Sequence, residues 1–85
     1  MVREDRFDRH ARLVTRMADT LGVDIEASVQ QGRMLPEEFD FAVMNCMGCP
    51  TPARCEGWTQ QQDAVVGAAP AYCRNRDALE ALARS

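Results

Sequence analysis

The stretch MNCMGCPTPARCEGW, Met44 to Trp58, carries three of the chain's four cysteines and both of its sharpest breaks in helical pattern. Cys46 lies at helical spacing behind Phe39, Ala42 and Val43, so it belongs to the inward stripe of a helix that Pro36 starts and Met47-Gly48 ends. Thr51-Pro52 then reads as a new start, a hydroxyl N-cap followed by proline at the first helical position. That helix runs through Cys55 and Trp58 to about Gln62. Two helices therefore meet at a corner that holds Cys46, Cys49 and Cys55.

Working outward, Phe7, His10, Leu13, Val14, Met17 and Leu21 recur at spacings of three and four, which predicts a helix from about Asp5 to Leu21. Gly22 is placed to end it, and Asp24 to cap a short helix over Ile25 to Gln31. Beyond the corner, Asp63 to Ala71 is small and punctuated by glycine and proline, a loop with room for one helical turn at Ala64 to Val66. Asn75 is a candidate cap for a closing helix, Arg76 to Ala83, with Leu79 and Leu82 inward. No segment sustains strand alternation. The expected fold is all-α, a compact bundle of about five short helices, with residues 1–85 as one domain.

The full cysteine spacing is Cys46-x2-Cys49-x5-Cys55-x17-Cys73. All four thiols fall at helix ends or connections, where four segments can converge. Four thiolates can complete a tetrahedral zinc site or hold a [4Fe–4S] cluster, and three close cysteines with one remote fit a cluster better than paired zinc knuckles. The leading expectation is a metal- or iron–sulfur-binding domain with Cys46, Cys49, Cys55 and Cys73 as ligands, in a structural, redox or sensing role. The alternative is a helical interaction domain without cofactor, its cysteines paired as disulfides or left as free thiols. A thioredoxin-like Cys-x-x-Cys is disfavoured, because the pair ends a helix and no strand precedes it.

MADTLGVDIEA (Met17 to Ala27), CMGC (Cys46 to Cys49), CEGW (Cys55 to Trp58) and PAYCRN (Pro70 to Asn75) together resemble a family of small bacterial four-cysteine domains of unknown function. The likeness spans about Arg12 to Leu82. It implies a compact helical domain with the cysteines as its shared feature, and no activity or ligand.

Composition narrows the remaining classes. Thirteen acidic residues outnumber ten basic ones, all arginine, for a net charge of −3. Arg3, Arg6, Arg9, Arg12 and Arg16 alternate with Glu4, Asp5, Asp8 and Asp19, a solvated helix face rather than a nucleic-acid surface. No apolar run approaches the ~20 residues of a membrane helix, and the charged start MVREDRFDRH offers no signal sequence, so the expected location is cytoplasmic. His10, the sole histidine, fits the inward stripe as a satisfied core residue. Neither serine stands beside a base, so the chain is not expected to be an enzyme. Phe41, Met44 and Met47 form either core or an apolar patch near the cysteines for a protein partner, with monomer and homodimer both open.

Overall fold

The structure, a computed structural model, describes residues 6–84. Five helices follow one another: α1 (Arg6–Thr20), α2 (Ile25–Gln30), α3 (Pro36–Met47), α4 (Pro52–Gln60) and α5 (Arg76–Arg84). The all-α expectation holds, with ends moved by a residue or two. Asp5 of the expected α1 start lies outside the described residues. The turn suggested at Ala64 to Val66 is not helical; residues 61–75 form one long irregular connection.

Helix α1 is the spine. Its stripe buries His10, Leu13, Val14, Met17 and Ala18, and it packs against α2, α3 and α4. Two apolar clusters form along it. Val14 meets Ala42 and Val43 of α3, with Phe7, Phe39, Cys46 and Met47 packed around them. Met17, Ala18 and Leu21 enter the larger cluster, which gathers Val23, Met34, Cys55 and Leu79 from the rest of the chain. His10 is buried and its Nδ1 lies 2.7 Å from the carbonyl oxygen of Arg6, as expected of a satisfied core histidine.

The turn after α1 depends on Gly22, whose φ of +80° is open to glycine at little cost. The Val23 N–H donates to the Ala18 carbonyl at 2.8 Å and satisfies a carbonyl the helix leaves open. Asp24 caps α2 by accepting from the Ala27 N–H at 3.0 Å. At the head of α3, Glu38 Oε1 accepts from the Leu35 N–H at 2.9 Å. Thr51 does not act as the expected hydroxyl cap of α4; its Oγ1 instead lies 3.6 Å from Cys49 Sγ.

Candidate functional site: a four-thiol cavity and an apolar groove

The four cysteines come together as their positions implied. Cys46 lies in the last turn of α3, Cys49 just after it, Cys55 in the first turn of α4, and Cys73 ahead of α5. All four line one small cavity of about 20 Å³, shared with Tyr72 and Asn75. All four are free thiols, so the disulfide form of the alternative is not found and its free-thiol form is.

Convergence does not amount to a metal centre. Among the described residues, no group of three or more His, Cys, Asp or Glu side chains is placed to hold a metal ion. That finding overturns the expectation of zinc or a [4Fe–4S] cluster on Cys46, Cys49, Cys55 and Cys73. Tetrahedral zinc requires sulfurs at about 2.3 Å from one common point, and the described thiols form no such group. Spacing along the chain sets which segments meet; it does not set where each sulfur points.

Electrostatics favour neutral thiols. Burial, followed by the neighbouring Cys55, Cys49 and Cys73, pushes Cys46 up from an ordinary 9.0 to about 12. Burial and then Cys73 push Cys55 up to about 11. Cys73 is raised chiefly by burial, partly offset by a hydrogen bond from the Asn75 backbone N–H. Tyr72 is raised by burial as well. Its hydroxyl is buried with no partner among the described residues, while the Arg54 guanidinium lies 4.8 Å from its ring centre.

These shifts give stability a pH dependence whose sign is fixed. Folded pKa values above the unfolded ones mean the native state holds these protons more tightly, so the contribution is complete below pH 9 and is lost as pH rises through about 11 and 12. The urea midpoint is expected to fall above pH 9, and Cys46→Ser to flatten that fall. An unchanged pH profile in the variant would show that burial at Cys46 carries no such linkage.

Asn75 connects this cavity to a second feature. It is buried, its Nδ2 donates to the Ala42 carbonyl at 2.8 Å, and Asn45 Nδ2 donates to its Oδ1 at 3.4 Å. Its side chain therefore reaches across to α3. Asn75 also borders a groove of about 580 Å³ between α3 and α5, walled by Met34, Phe41, Ala78, Leu79 and Leu82. Phe41 is 63% exposed and Met44 58%. Of the anticipated patch, only Met47 turns inward, against the smaller cluster. Sequence reasoning missed Asn75 as a cross-link and α5 as the second wall; no local pattern signals a contact between residues 33 positions apart.

A third cleft, between α1 and α4, carries Arg9, Arg12, Arg16, Asp19 and Glu56. Arg9 pairs with Glu56 at 3.3 Å, so arginine and carboxylate remain interleaved here. No described helix is long and apolar enough to cross a membrane.

The chain belongs to a family of unknown function (DUF6455), matched over residues 1–85. No curated protein and no solved structure matches. Membership agrees with the resemblance drawn from the cysteine framework, at the level of a small four-cysteine helical domain. For this member of DUF6455, function has to be read from the cavity and the groove.

Proposed function

We propose that the chain is a non-catalytic helical interaction domain with free thiols, whose α3–α5 groove receives a basic amphipathic helix from a protein partner. The observation that carries this is the exposure of Phe41 and Met44, one helical turn apart, beside the apolar groove. Large side chains left in water next to a concave apolar surface are characteristic of helix-in-groove recognition. Charge selects the partner: the groove itself is lined by Glu38 and Arg33, but α3 adds Glu37 and Asp40 and no basic residue, and the whole chain is net acidic. A segment with leucines on one face and lysines or arginines on its flanks complements both properties. Free thiols suit a reducing compartment, which supports the cytoplasmic expectation.

The test is a titration, followed by amide NMR, with a Leu/Lys amphipathic peptide of about 12–14 residues, the length matching α3. Saturable shifts at Met44, Ala78 and Leu82 are expected, weakening with salt. Phe41→Glu should weaken binding about tenfold or more, through lost apolar burial. Equal binding of a Leu/Glu peptide, or shifts scattered away from α3 and α5, would reject the groove as a basic-helix site.

A further inference from the structure

The four thiols share a cavity, yet the structure leaves them unbonded. The cavity joins the exit of the longest irregular segment to the first turn of the helix that precedes it. Residues 61–75 run from the end of α4 to the start of α5 without regular secondary structure. Irregular connections of this length within a compact domain are uncommon and are often functional.

Long-range polar contacts tie that connection to the helices. The Val66 N–H donates to the Thr20 carbonyl at 3.0 Å, the Ala69 N–H to Glu80 Oε2 at 3.0 Å, and Asn75 reaches Ala42 at 2.8 Å. Cys55 lies on the helix that leads into the connection and Cys73 near its exit, and both border the cavity. A covalent link between them would close residues 56–72 into a loop, most of the connection included.

We propose that the cavity is an intramolecular disulfide site, in which a hydroperoxide drives bond formation between Cys73 and a thiol of the α3–α4 corner, with Cys55 the favoured partner. One thiol attacks the peroxide, the O–O bond breaks, and sulfenic acid and water (or alcohol) are produced. The second thiol then displaces hydroxide from that sulfur, forming the S–S bond and releasing water. Two thiols lose two electrons in total, and the peroxide gains them.

The surroundings favour this outcome over further oxidation. A sulfenic acid formed in the cavity has three other thiols bordering the same space, so a resolving partner is at hand. Cys73 borders the same cavity as Cys55 and, after burial, is the neighbour that pushes the Cys55 thiol up most. Neutral thiols are slow nucleophiles, so the bridge answers sustained rather than brief oxidant exposure. Bond formation also redirects the Cys73 sulfur, which now accepts from the Asn75 N–H. The change thereby reaches the residue that joins α5 to α3. The disulfide site stands independently of the docking reading, since it involves neither Phe41 nor the groove-facing apolar side chains.

The experiment exposes the reduced full chain to hydrogen peroxide, alkylates the remaining thiols, and maps bridges by peptide mass. The expected product is a monomer two hydrogens lighter, with a bridge that includes Cys73 and a Tm raised by about 5–10 °C through closure of the connection. Cys73→Ser should lose both changes, while Cys49→Ser should keep them. Four intact thiols after prolonged exposure would overturn the proposal. So would a bridge confined to Cys46 and Cys49, bridging only between chains, or sulfinic acid as the main product. Loss of peptide binding in the groove would leave these readouts unchanged and would bear only on the interaction reading.

Discussion

Leu79→Ala is expected to lower the free energy of unfolding by about 2–5 kcal/mol, the range for emptying a well-packed leucine site. Leu79 is 1% exposed and is the one residue of α5 that is buried outright. It joins Met17, Leu21, Cys55 and Ala69 in the larger cluster. Nine residues are too few for α5 to persist as an isolated helix in water, so this side chain secures both its position and its existence. Urea denaturation checks the magnitude. Hydrogen exchange checks the mechanism: amides of α5 should lose protection first, while α1 and α3 retain theirs. A loss below about 1 kcal/mol would mean that the site collapses around the alanine and that α5 is held by something else.

Asn75→Ala is expected to cost about 1–3 kcal/mol, because it removes a buried amide that donates to one helix and receives from another side chain. The backbone bond from the Leu79 N–H to the residue 75 carbonyl, at 2.9 Å, is retained in the variant, so the loss reports the side chain. Asn75→Asp provides the sharper comparison. It keeps the shape and an acceptor but loses the donor to Ala42, and it buries a carboxylate beside a carbonyl oxygen. If the donated bond is the important one, Asp should be at least as damaging as Ala. A benign Asp variant would assign the effect to packing alone. Combined with Leu79→Ala, the loss should be less than additive, because both substitutions release the same helix.

The helices were legible because their punctuation is local. Gly22 takes a φ that other residues resist, Asp24 caps within three residues, and Pro36 and Pro52 open the helices they head. The gathering of the cysteines was legible for a related reason: helix ends determine which segments meet. What those thiols do was not legible. A metal needs sulfurs aimed at one point, and aim depends on rotamers and on contacts such as Cys49 with Thr51, which the pattern Cys-x2-Cys does not encode. The groove was half legible. Phe41 and Met44 stand out as apolar residues off the inward stripe, but the opposing wall comes from α5, more than thirty residues further on. Its placement is a tertiary fact, carried largely by Leu79 and by the side chain of Asn75.

Helix α1 enters both clusters, and neither cluster closes without it. On the ribosome this imposes an order on events. Within this domain α1 emerges before the surfaces that cover it. Val14 finds its partners once α3 is out, whereas Met17, Ala18 and Leu21 wait for Cys55, Ala69 and Leu79. The second half of the α1 stripe therefore stays uncovered longest, and it is the part of the nascent domain a chaperone would meet.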